Sequence, residues 1–258
     1  MKHTDHSSIE TVLKYLRMYG FDAKAMMVRK SRKSCDIVAR HKRGTYFIEV
    51  KDRLGPERPG SYVIKYGYSG SVNKVFNKAV EQLRSMPDTE TAFRIVWFVI
   101  SEDDEEEFLL QGIVATFYGI QRIGLKRGDL EIEMDCFFFN PNPANKYPDL
   151  DCLIIQTKSG LLYCLNSNST NYPKFKKTKM YSFHKRIDGL IDPKLLESKG
   201  CCLIASQNRD REEVMQDIMR KYMFKKLWVI ESERHISLSR SFVTELPKSQ
   251  QDVPPDRR

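Results

Sequence analysis

Two short runs of strand-forming residues, 36–40 (Asp-Ile-Val-Ala-Arg) and 45–50 (Thr-Tyr-Phe-Ile-Glu-Val), flank the connection His41-Lys42-Arg43-Gly44. β-Branched and aromatic residues around a short glycine-containing link form a hairpin. With Lys42 and Arg43 as a two-residue loop, His41 pairs with Gly44, and counting outward sets Asp36 opposite Glu49. Facing residues share one side of a sheet, and Lys51, two positions beyond Glu49, shares it too. Carboxylates placed opposite one another repel. A divalent cation, which prefers oxygen ligands, would turn that repulsion into binding. A three-residue loop ending in a glycine bulge would instead make Asp36 and Glu49 diagonal neighbours.

The flanks supply more elements. Ser7 or Ser8 can cap a helix whose apolar stripe is Ile9, Val12, Leu13 and Leu16, with Gly20 as its stop. Glu10 lies on the flank of that stripe, either leaning toward a neighbouring site or solvated as an early-helix acid favoured by the dipole. Residues 23–30 read as a first strand, followed by the basic turn Arg29-Lys30-Ser31-Arg32-Lys33. After Lys51 comes a long Pro-, Gly- and Tyr-containing loop of the kind that is usually functional or disordered. Ser69 or Ser71 then opens a helix through Met86, with Val72, Val75, Phe76, Ala79, Val80 and Leu83 inward and Lys74, Lys78 and Gln82 along one polar face. Residues 94–100 (Arg-Ile-Val-Trp-Phe-Val-Ile) are apolar enough for a sheet centre. The order is helix, strand, strand, strand, helix, strand.

At Asp36 and Glu49-Val50-Lys51 the chain resembles the PD-(D/E)XK phosphodiesterase superfamily, which includes many restriction endonucleases and Holliday-junction resolvases. The literal Pro-Asp is absent, since Cys35 precedes the acid. The resemblance spans residues 7–100 and implies an α/β fold, a restriction endonuclease-like αβββαβ core with a mixed central sheet. It implies Mg²⁺, with Mn²⁺ as substitute, held by Asp36, Glu49, the Val50 carbonyl and Glu10. Lys51 would then orient or deprotonate the attacking water. The expected activity is metal-dependent endonuclease cleavage of nucleic acid, with DNA favoured over RNA. A non-catalytic nucleic-acid-binding or assembly subunit on the same fold is the alternative.

Charge agrees with a polyanionic partner without selecting one. The net +9 is uneven: residues 1–100 hold 19 Lys/Arg against 10 Asp/Glu, residues 101–150 hold 4 against 11, and residues 151–258 hold 20 against 13. Arg32, Lys33 and Arg43 surround the hairpin, and Lys74 and Lys78 lie on the following helix, all able to meet phosphates. Residues 171–186 interleave Tyr172, Phe175, Tyr181 and Phe183 with Lys174, Lys176, Lys177 and Lys179. Such a stretch serves either phosphates and base faces or a basic surface whose aromatics pack inward.

Elsewhere, Ser101 and the acids 102–107 read as a capped helix start. Residues 109–123 are apolar without a clear period, and 130–139 alternate as a strand. Residues 140–148 form a loop taken as a boundary, giving a nuclease-like domain over 1–140, an α+β domain over 141–246 and a disordered tail over 247–258. Residues 151–166 form a second strand–turn–strand, and 201–206, 227–231 and 236–246 are further strands around a helix over 210–225. Six cysteines without a C-x-x-C pair suggest reduced, buried thiols. No long apolar run or leader is present, so a cytoplasmic protein (nuclear if eukaryotic) with no membrane partner is expected. A homodimer or larger protein assembly is left open. Walker, H-E-x-x-H and G-x-S-x-G patterns are absent.

Overall fold

The computed structural model describes residues 6–26, 34–42, 44–52, 69–89, 91–100, 106–182, 189–200, 203–204 and 210–230. The αβββαβ order is present: α1 (His6–Met18), β1 (Asp22–Ala25), β2 (Ile37–His41), β3 (Gly44–Lys51), α2 (Gly70–Arg84) and β4 (Ala92–Val99). Helix α1 starts before Ser7 and Ser8, so these serines lie in its first turn rather than at its cap. Its end is the expected one. Gly20 takes φ +78, and the amides of Phe21 and Gly20 donate to the carbonyls of Leu16 and Arg17, closing a Schellman turn. Helix α2 is capped by Ser69, whose hydroxyl accepts from the Val72 amide.

The remaining elements are α3 (Glu106–Tyr118), β5 (Gln121–Arg127), β6 (Leu130–Phe137), α4 (Pro143–Lys146), β7 (Cys152–Gln156) and β8 (Leu161–Leu165). They are followed by α5 (Tyr172–Phe175), α6 (Lys179–Ser182), β9 (Gly189–Ile191), α7 (Pro193–Ser198), β10 (Leu203–Ile204), α8 (Arg211–Tyr222) and β11 (Lys226–Val229). The ambiguous apolar stretch is a helix running into a strand. Helix α3 places Ile113, Val114, Phe117 and Tyr118 in the core, which explains why its sequence carries no polar face. The acidic cap at 101–105, the strand over 236–246 and the tail over 247–258 lie outside the described residues.

Strands β1-β2-β3-β4-β7-β8-β9 form one mixed sheet, parallel at β3/β4, β4/β7 and β8/β9 and antiparallel elsewhere. A second sheet has the order β10-β6-β5-β11. Both sheets cross the boundary expected at 140/141. Strands β7 to β9 extend the first sheet from β4, while β5 and β6 pair with β11 and β10. The proline-rich loop connects β6 of the second sheet to β7 of the first, and each sheet draws strands from before and after it.

Helix α1 buries Val12, Leu13 and Leu16 against Ile37, Ile48, Val50 and Trp97 on one face of the large sheet. On the other face, α2 packs Phe76, Ala79 and Val80 in the core that holds Cys35, Phe47, Val96 and Phe98. The small sheet packs Ile123, Leu125 and Cys136 with Val214 and Ile218 of α8. The four described cysteines are buried and form no disulfide. Among the described residues no helix is long and apolar enough to cross a membrane.

Candidate functional site

The β2–β3 register is the two-residue-loop form. His41 pairs with Gly44, and the ladder runs outward to Ile37 opposite Ile48, so Asp36 follows opposite Glu49. Lys42 takes φ 52 in the tight turn. Because side chains alternate along β3, Tyr46, Ile48 and Val50 enter the core under α1. Phe47, Glu49 and Lys51 take the other face, with Asp36 beside them.

Three groups meet there. The Val50 amide donates to Asp36 Oδ2 at 2.9 Å, just beyond the start of β2. Lys51 Nζ donates to Glu49 Oε1. Glu49 is fully buried, and its Oε2 has no hydrogen-bond donor. Asp36 is half-buried, while the Lys51 side chain is 13% exposed, so they form the rim above a Glu49 floor.

Burial dominates the charges. It pushes the Glu49 carboxyl up to about 8, with Lys51 opposing the shift and Asp36 adding to it. Asp36 is raised by the same loss of water, offset by the Val50 amide and Lys51. Cys35, which precedes Asp36, points its thiol at the Ile37 carbonyl and lies under α2. Burial followed by the charge of Glu49 pushes it up to about 12, so it packs as an apolar side chain and stays a thiol.

Two neighbours escaped the sequence reading. Asp52 is close enough for its charge to raise Asp36 further. Strict alternation would have sent it to the opposite face, but β3 ends at Lys51. Gln82 reaches back from α2 to the Ser34 carbonyl at 3.5 Å. Its alignment with Lys74 and Lys78 was the available signal, but the two lysines are exposed and only the glutamine approaches the hairpin.

Glu10 is not brought to this group. It is exposed, and its helix packs on the opposite sheet face, where it lines a shallow surface with Thr11, Lys14 and Arg17. Among the described residues no three His, Cys, Asp or Glu side chains converge as a metal-holding group. Asp36 and Glu49 still suit a hard cation. Mg²⁺ keeps several waters and is held through one or two carboxylates, and the buried oxygen of Glu49 lacks a donor.

Of the basic residues, Arg32, Lys33 and Arg43 lie outside the described residues. Lys174 and Lys177 are exposed and Lys179 is half-buried. Lys176 has a structural partner, since its Nζ bonds Asp192 Oδ2 at 3.0 Å and Tyr172 Oη at 3.2 Å. Of the interleaved aromatics, Phe175 is buried, Tyr172 donates its hydroxyl to Asp192, and Phe183 lies outside the described residues.

The fold and site define an α/β protein with a mixed sheet and an acid–acid–lysine cluster on its central hairpin. The chain matches no family model, no curated protein and no solved structure.

Proposed function

We propose that the chain is a metal-dependent endonuclease that hydrolyses nucleic-acid phosphodiesters, DNA in preference to RNA, with a site of the PD-(D/E)XK type. The observation that carries this reading is the meeting of Asp36, Glu49 and Lys51 on one sheet face, with a buried carboxylate oxygen that lacks a donor. Asp36 and Glu49, with the Val50 carbonyl, would hold Mg²⁺, which supplies Lewis-acid charge and a more acidic water. Asp36 is oriented by the Val50 amide before any ligand arrives, so it needs no rearrangement to bind. The charge of Lys51 bears on both acids. When Glu49 is engaged elsewhere, its ammonium is released to orient the attacking water and offset charge on the phosphoryl oxygens.

The test is cleavage of linear, nicked, branched and single-stranded DNA and of RNA by the full chain, with Mg²⁺, Mn²⁺ or EDTA. Products are expected only with metal. Lys51→Ala is expected to lower turnover by about a hundredfold or more, and Glu49→Gln to abolish it. Cleavage that persists in EDTA or in Glu49→Gln would sink the proposal. A second reading, nucleic-acid binding without turnover, is favoured by the complete burial of Glu49 and its contact with Lys51. Tight binding with no product from any substrate would select it.

A further inference from the structure

The other end of the β2–β3 hairpin carries a second feature. An open groove of about 670 Å³ lies between the hairpin turn and the α5–α6 segment. Its cationic lining is Lys42, Lys174, Lys177 and Lys179, beside the His41 imidazole, and no carboxylate joins it among the described residues. Thr91, Thr178 and Ser182 also line it. The His41 imidazole is held below its ordinary value, first by partial burial and then by the Lys179 and Lys42 cations. A neutral histidine among lysines marks a local field that an anion would relieve.

The lysines are mounted on a rigid support. Phe175 packs edge-on against Phe93 at 5.5 Å, and Phe93 stacks on Tyr46 at 5.5 Å. The Tyr46 hydroxyl bonds to Thr178 and to the backbone at Met180. Thr178 in turn accepts from the Tyr181 amide at 3.2 Å and caps the short turn. Lys179 Nζ sits 5.6 Å from the Phe21 ring. The order of aromatics and lysines in the sequence thus becomes an inner anchor and an outer cationic row.

We infer that this groove binds the phosphodiester backbone of duplex DNA, apart from the acid–acid–lysine site. The choice of nucleic acid rests on the phosphodiesterase reading above; the choice of duplex rests on the groove itself. Single strands are gripped by stacking bases on exposed aromatic faces. Here Tyr46, Phe93 and Phe175 are buried in the core, leaving the lysines, which suit duplex phosphates and carry no base preference. The groove cannot touch the phosphate that is cut. Gly44 and Glu49 are five residues apart on one strand, roughly 17 Å, and the groove floor of Tyr46 and Phe93 belongs to the α1 face of the sheet. It lies at the other end of the hairpin and on the opposite sheet face, so its phosphate contacts are separate from those of the acid–acid–lysine site.

Binding of a labelled duplex by the full chain in EDTA, followed between about 50 and 200 mM salt, tests this. Lys174→Ala/Lys177→Ala is expected to weaken binding equally for unrelated sequences and to flatten the salt slope by about 2. Lys174→Arg/Lys177→Arg is expected to restore both. Unchanged affinity and slope in the alanine variant would overturn the inference. So would absence of duplex binding by the parent chain, or a loss confined to single-stranded probes. Cleavage in Mg²⁺ is scored separately, so a chain that binds through these lysines but never cuts removes the nuclease reading and leaves the groove standing.

Discussion

A carboxylic acid walled off from water keeps its proton until a cation takes its place, and Glu49 is such an acid. Its folded-state value of about 8 lies above the ordinary 4.5. Below 4.5 both folded and unfolded chains hold the proton, and the favourable contribution is complete. As pH rises, the unfolded chain releases its proton first, so this contribution is lost up to about 8. Asp36 shifts in the same direction. Melting temperatures of the metal-free chain are therefore expected to fall from pH 5 to 8 relative to Glu49→Gln, and Mg²⁺ is expected to recover part of the loss. A wild-type chain whose stability climbs relative to the variant over that window would show that Glu49 ionises freely. Cys35, next to Asp36, is a small buried thiol that fits under α2.

At the scale of elements, the hairpin was legible because pairing arithmetic and turn length left two registers, and burial chose between them. The two-residue loop places Ile37, Ile48 and Val50 together in the α1 core. A one-residue slip would have turned Ile48 and Val50 out of it. Helix α2 was legible for a similar reason, with a cap at Ser69 and an apolar stripe that the core uses almost entire. Helix α3 was not, because a segment buried on every side loses the polar face that announces a period. Its end is nonetheless strict. Gly119 has φ +59, and a Cβ there would lie 2.2 Å from the Asn140 carbonyl oxygen. Gly119→Ala is expected to cost about 3 kcal/mol through the left-handed backbone and the clash together, read as a lower urea midpoint at unchanged slope. Loss below about 0.5 kcal/mol would mean that the α3–β5 turn is free to relax.

For the whole molecule, the two halves share their cores as well as their sheets. Tyr118 of α3 donates to the Leu165 carbonyl at 2.8 Å and lies 3.1 Å from that of Ile191. Asp151, at the start of β7, accepts from the Arg94 amide at 2.8 Å and from the Ser169 hydroxyl. Burial pushes its carboxyl up to about 6, even with these donors. Asp151→Ala would leave the Arg94 amide and the Ser169 hydroxyl without their acceptor, at a cost of about 3 kcal/mol. Because β4 and β7 are adjacent in the sheet, circular dichroism and tryptophan fluorescence are expected to report one shared, shifted transition. Two separated transitions would mean that the halves fold independently.

Local order was written in the sequence: strand runs, turn length, a capped helix and side-chain alternation placed Asp36, Glu49 and Lys51 on one face before any tertiary contact was known. These features depend on neighbours within a few residues, where sterics and period act. Tertiary structure decided what depends on distant neighbours. It sealed Glu49 from water, drew Asp52 and Gln82 to the hairpin, and left Glu10 on the far face. It joined strands across residue 140 and turned Phe175, between the lysines, inward. Burial and pairing over long separations set those outcomes, and neither has a signature in a short window of sequence.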